Sequence, residues 1–236
     1  MIKAVVTGHS RGLGAAVAAE LVARGIPVLG LARGHAEIGE GMEQAVVDFG
    51  DGAALAIWLG GHTLSSFLAG ADTVLLVNNA GIVSPVGPLA EQDPVAALRA
   101  ATINLAAPLA LSAAFVRAAA QAERRILHVS SGAGRSAYPG WSVYCATKAA
   151  LDHHARAVAL DGDPHVRCVS LAPGVIDTDM QAEIRDTPDS KFPLKQRFVD
   201  MKESGVLVTP GACAVALVDY LLAKRFGEEP VDDLRA

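Results

Sequence analysis

Short runs rich in valine, isoleucine and leucine recur along this chain and alternate with longer Ala/Leu-rich stretches of helical spacing. The apolar runs are "IKAVVTG", "IPVLGLA", "DTVLLVNN", "RRILHVSS" and "VRCVSLAPG"; helical patterns fall at about 12–24, 52–69, 94–119, 142–160 and 210–224. Strands without polar alternation need cover on both faces, and strands separated by helices pair in parallel through crossovers. The pattern predicts a single α/β domain over 1–236, a doubly wound parallel sheet with helices on both faces. Between about 179 and 208 the chain turns polar and is punctuated by prolines, which predicts an insertion over one edge, long enough to be a lid.

Composition narrows the function. With 236 residues, 51% of them hydrophobic and 19% charged, the chain can bury a large core. A net charge of -5, with acids and bases mixed, leaves no basic stripe for nucleic acid or an anionic membrane. Cys145, Cys168 and Cys213 are widely spaced, with no CxxC and no histidine at metal-ligand spacing. Neither a disulfide framework nor a metal site is expected, and a reducing cytoplasm fits best. The N-terminal "MIKAVVTG" has no signal-peptide pattern.

The first strand runs into "TGHSRGLG", residues 7–14, and then into a helix. Gly8, Gly12 and Gly14 let the backbone turn tightly and approach a diphosphate at the positive helix end, with Leu13 in the same turn. A tight strand-to-helix turn also needs glycine for structural reasons alone. The second strand ends on Ala32 and Arg33, where a carboxylate would grip the ribose 2'-hydroxyl of NAD. Arg33 and Arg11, with Ser10, suit a 2'-phosphate instead, so NADP(H) is the expected cofactor. Asp48 in "VVDFGD", at the end of the next strand, is placed to meet an adenine amino group or to cap the following helix.

In "SVYCATKAAL", Tyr144 and Lys148 stand one helical turn apart on one face. A ketone that accepts hydride becomes an alkoxide and needs a proton donor at its oxygen. A phenol, with an ordinary pKa of about 10, needs a nearby cation to stabilise its phenolate. Lys148 supplies that charge, and Ser131, at a strand end thirteen residues before Tyr144, can donate a hydrogen bond to the substrate oxygen. Structural readings exist for each residue: Tyr144 capping the core with Lys148 snorkelling to water, Ser131 ending a strand, Asn104 breaking a helix, Thr178 capping one. Tyr138 and Trp141, in the turn before the catalytic helix, either line an aromatic pocket or pack beneath it, and Met180 and Gln181 begin the lid. His153 and His154 lie too far along that helix for the chemistry; a helix or subunit contact is the reading for both.

With "NNAG" (78–81), Asn104 in "TINLAAP", "YCATK" and "PGVIDT" (173–178), the chain resembles the short-chain dehydrogenase/reductase family, in motif order and spacing, over its whole length. The likeness is nearest to the benzil reductase and sepiapterin reductase branch. The resemblance implies a Rossmann fold and an NADP(H) site that includes Asn79, Ala80, Gly81, Pro173, Gly174 and Ile176. It also implies that Lys148 holds the nicotinamide ribose, that Asn104 anchors a proton-relaying water, and that Thr178 with the backbone after Pro173 holds the carboxamide. The implied activity is NADPH-dependent reduction of a ketone or vicinal dicarbonyl by a cytoplasmic homodimer, possibly a homotetramer, with 3-oxoacyl thioester reduction or NADP(H) sensing without turnover as the competing readings. His9 departs from the small residue usual there. Asp232 or Asp233 would correspond to the C-terminal aspartate that holds the pterin in sepiapterin reductases.

Overall fold

The computed structural model describes residues 1–235. Seven strands, β1 (Ile2–Thr7), β2 (Val28–Ala32), β3 (Met42–Val46), β4 (Thr73–Asn78), β5 (Glu123–Val129), β6 (Val166–Ala172) and β7 (Val231–Asp233), form one sheet in the order β3-β2-β1-β4-β5-β6-β7. Every pairing is parallel. The winding reverses between β1 and β4, and in such sheets ligands bind in the crevice beyond the strand ends at that switch point. This is the doubly wound Rossmann-like α/β architecture.

Helices cover both faces. On one side α1 (Gly12–Ala23) packs beside α9 (Pro210–Leu222), where Val17, Leu21, Leu217 and Leu221 are fully buried with Val6 and Val77 of the sheet. On the other, α2 (Gly52–Leu59), α3 (Thr63–Leu68) and the run from α4 (Pro94–Ala101) to α5 (Ala107–Ala118) bury Leu55, Phe67, Leu111 and Phe115 against Val5, Leu76 and Ile126. α6 (Ser142–Leu160) covers β5 and β6, contributing Ala155 to this layer. The run Pro94–Ala118 is long and apolar enough, by length and composition, to cross a bilayer. Here its Leu111 and Phe115 lie against the sheet.

Several expectations need correction. The pattern at 52–69 is two helices, separated by Gly60 and Gly61, where two residues of high backbone entropy interrupt the run. The helical run at 94–119 is interrupted by one π turn, Thr102–Ala106, which carries Asn104; such turns occur frequently at functional sites. The strand before Asp48 ends at Val46, two residues short of it. The segment at 179–208 holds α7 (Asp179–Asp186) and α8 (Lys195–Glu203).

Candidate active site

The turn after β1 is built to leave backbone N–H groups free. Gly8 and Gly12 have left-handed φ values of 68° and 57°, and a Cβ on Gly14 would stand 2.2 Å from the Gly8 carbonyl oxygen. No side chain caps α1 and its first turn carries no acid, so the orphan N–H groups and the positive end of the helix dipole suit a phosphate. Asn79, just past β4, donates from Nδ2 to the carbonyls of Thr7 at 3.0 Å and Gly8 at 3.3 Å. Thr7 Oγ1 accepts from the backbone N–H groups of Asn79 at 2.9 Å and Ala80 at 3.0 Å. The glycine turn is thereby pinned to the "NNAG" segment at the switch point.

A cleft of about 480 Å³ extends from this turn across the strand ends. Ser10, Arg11, Leu13, Arg33 and Asp48 line its outer part, while Gly81, Pro173, Gly174, Ile176 and Thr178 line the inner. A nicotinamide dinucleotide fits this donor set: an uncapped helix end for the diphosphate, and two arginines but no acid beside the end of β2. Arg33 is exposed; Arg11 is already paired with Asp179 at 3.0 Å. Asp48 does not cap the following helix. Asp51 does so through the Ala54 N–H, whereas Asp48 accepts from the Gly50 N–H at 2.8 Å and lies 3.4 Å from Arg99.

At the inner end, α6 places Tyr144 and Lys148 on one face, both buried, with Lys148 Nζ 5.7 Å from the Tyr144 ring centroid. Burial pushes the Tyr144 phenol up to about 12, opposed by a hydrogen bond with the Ser131 hydroxyl. Burial pulls the Lys148 ammonium down to about 8, against the field of Asp152. Tyr144 therefore stands protonated beside a serine hydroxyl and a lysine ammonium that titrates at about 8. Ser131 Oγ also accepts from the Ala133 N–H at 3.2 Å. Asn104 is buried in the π turn with its side chain committed at both ends, accepting from the Ile82 N–H at 2.9 Å and donating to the Ile82 carbonyl at 2.8 Å. Its amide thus fixes the loop after β4.

Tyr138, Trp141, Met180 and Gln181 all reach the cleft. Trp141 lies face to face on Phe192, centroids 4.6 Å apart, and edge-on to Tyr144 at 5.4 Å. Phe192 and Phe198, contributed by the polar segment, close a separate apolar cluster with Val83, Tyr144 and Ile184. These two phenylalanines were not singled out from sequence, nor was Thr7 or Arg235, which lines the cleft. His9 points away from the cleft: it is fully buried, with Nε2 2.8 Å from Gln44 Oε1. Gln44 in turn holds the backbone of Ala36 in the loop after Arg33.

The family model described as short chain dehydrogenase matches residues 62–189. A benzil reductase ((S)-benzoin forming) of Bacillus cereus is 32% identical, over 96% of both chains. The chain belongs to the short chain dehydrogenase family. A sepiapterin reductase of Meriones unguiculatus is 32% identical over 94% of this chain and 92% of its own. The solved structure of a short-chain dehydrogenase/reductase from Burkholderia vietnamiensis is 48% identical, covering 99% and 97% of the two chains, with a TM-score of 0.72.

As a short chain dehydrogenase the protein is an oxidoreductase, and its C-terminal segment departs from the expected arrangement. Asp232 accepts from the Tyr220 hydroxyl at 2.8 Å. Asp233 pairs with Arg235 at 2.6 Å and lies 3.6 Å from Arg135, and the arginine partner holds its carboxyl below the usual range. Both carboxylates are engaged, and among the described residues of this segment Arg235 lines the cleft.

Proposed function

We propose that this short chain dehydrogenase is an NADPH-dependent carbonyl reductase that converts an aromatic ketone or vicinal dicarbonyl to the alcohol. The observation that carries the reading is the buried Tyr144 phenol, with Ser131 beside its oxygen, set against a wall of Trp141, Tyr138 and Phe198. A flat aromatic carbonyl can lie against that wall with its oxygen toward the two hydroxyls.

A nicotinamide cofactor, when bound, would supply the hydride that reduces the carbonyl carbon. Tyr144 gives its proton to the oxygen as negative charge grows there, and Ser131 strengthens its hydrogen bond to the same atom. Lys148 stabilises the resulting phenolate until a proton returns. Arg33, with Ser10 and Arg11, would hold the 2'-phosphate that separates NADPH from NADH, and Lys148 and Thr178 would meet the nicotinamide end. Asn104 acts by fixing the Ile82 loop against that end.

The engaged state of Asp232 and Asp233 favours benzil-like substrates over pterins, since neither is free to take a pterin's ring nitrogens. The unbridged cysteines suit a cytoplasmic enzyme. Val95 and Leu98 on α4 are 72% and 71% exposed, and a second copy of the chain is the occupant we assign to that face, making a homodimer.

NADPH oxidation with a panel of benzil, a pterin ketone, a quinone and a 3-oxoacyl thioester tests the reading. Benzil is expected to be turned over fastest. Preference for the thioester would replace the substrate class, and NADPH binding without turnover of any carbonyl would turn the protein into a sensor.

A further inference from the structure

Between α6 and the β5–β6 pair, two polar triads are stacked in register inside an otherwise apolar layer. The one nearer the cleft is Ser130, Ser170 and Asp152, in which Asp152 Oδ1 accepts from both serine hydroxyls at 2.7 Å. Two residues back along each strand and two onward along the helix stand His128, Cys168 and His154. Their ligand atoms all lie within 4.8 Å of one another, and the facing ring nitrogens, His128 Nε2 and His154 Nδ1, are 3.1 Å apart. His128 and Cys168 are buried, and His154 reaches intermediate exposure. No step of the proposed reduction uses any of the three.

From this geometry we infer that His128, His154 and Cys168 form a site for a borderline d-block metal ion of the Zn²⁺ class. Two imidazole nitrogens and one thiolate are a ligand set that such ions prefer, with a fourth position left for water. Tetrahedral zinc holds two nitrogens about 3.3 Å apart, so the rings need open only slightly, while the thiol must swing inward by roughly 1 Å.

A second observation points the same way. One end of the buried Asn78 amide is 3.1 Å from His128 Nδ1 and 3.2 Å from Ser112 Oγ. With the amide turned over, His128 Nδ1–H donates to Oδ1, and the Nε2 lone pair faces His154. Metal-binding histidines are oriented by such a partner on their other nitrogen. Burial keeps the His128 ring neutral, so it retains that lone pair, whereas the same burial raises the Cys168 thiol, a cost that the metal–thiolate bond has to offset. The balance is simple: Zn²⁺ and Cys–SH give Zn–S–Cys and one H⁺, while both imidazoles stay neutral by tautomerisation. The remaining positive charge is opposed by Lys148 and partly offset by the Asp152 carboxylate one layer away, which itself lies 3.5 Å from Arg135. The linear spacing of these residues hides the site, because strand register and a helix crossover assemble it.

The test uses the full chain, stripped with a chelator and titrated with Co²⁺, then Zn²⁺. One equivalent of Co²⁺ is expected to give a thiolate-to-cobalt charge-transfer band that Zn²⁺ abolishes, and one equivalent of Zn²⁺ to raise the Tm. Cys168→Ala should lose the band and the Tm shift, His154→Gln should weaken Zn²⁺ binding at least about tenfold, and His153→Gln should change nothing. Absence of a one-to-one complex in the unsubstituted chain overturns the proposal without reference to any variant. So does survival of the band in Cys168→Ala, which would assign it to Cys145 or Cys213.

Discussion

The Lys148 ammonium donates a 2.7 Å hydrogen bond to the carbonyl of Val129, the last residue of the strand that leads into Ser131. The same helix and strand thus hold the Tyr144 phenol, the Lys148 ammonium and the Ser131 hydroxyl in fixed relation. That placement has a thermodynamic cost. Burial lowers the ammonium from 10.5 to about 8, equivalent to about 3 kcal/mol against the charged form. Between those pH values the unfolded chain holds a proton that the folded chain has released, so the wild type gains stability as pH rises through the window. Lys148→Met removes this cost but leaves the Val129 carbonyl unpaired, a loss of about 1–2 kcal/mol. The variant should be inactive yet more stable by about 1 kcal/mol at pH 7, and by pH 10.5 the difference should have reversed to a loss of about 1–2 kcal/mol. Urea unfolding of both proteins across that range checks the sign.

Tyr144→Phe tests the proton donor alone, because the ring still packs beside Trp141. Turnover should fall by at least about 100-fold while NADPH binding and Tm stay near wild type. Near-normal steady-state rates with an active ketone would leave Tyr144 as a core residue only.

Arg33 is the exposed arginine of the pair, whereas Arg11 is engaged with Asp179. Arg33→Asp removes a phosphate partner and restores a ribose acceptor, so the ratio of kcat/KM for NADPH to that for NADH should fall at least about tenfold. An unchanged ratio would pass the role to Ser10 and Arg11.

Gly14→Ala should be far more damaging than a surface substitution of the same size. Its Cβ would meet the Gly8 carbonyl oxygen at 2.2 Å and Asn79 Nδ2 at 2.4 Å, forcing the pinned turn apart. The expected result is loss of NADPH binding by fluorescence titration, together with about 1–3 kcal/mol of stability.

Leu98→Glu places a charge on the exposed apolar face of α4. Light scattering should show a dimer for the wild type and a shift to monomer for the variant; a wild-type monomer at micromolar concentration would remove the interface.

The long central strands were legible because burial on both faces leaves no polar alternation to confuse them. β3, "MEQAV", is half-exposed at the sheet edge, and β7 is three residues of "VDD"; such strands exist through pairing rather than composition. The glycine turn and the Tyr144/Lys148 pair were readable because local spacing dictates their geometry. Phe198 and Arg235, which line the cleft, and Phe192, which packs behind its Trp141 wall, were not, since they come to the site only after the chain folds back. The π turn around Asn104 leaves no compositional mark, and Asp48 lost its capping role to Asp51, three residues on, which sits at the helix start itself.

The stack of Trp141 on Phe192 couples a residue of the cleft wall to the segment that covers it. The chain has only one other tryptophan, Trp58, which packs with the helices on the opposite side of the cofactor turn. Replacing Trp58 with phenylalanine would leave a single indole whose emission reports the separation of wall and cover. Any movement of Phe192 away from Trp141 would then be readable on a stopped-flow timescale without an attached dye.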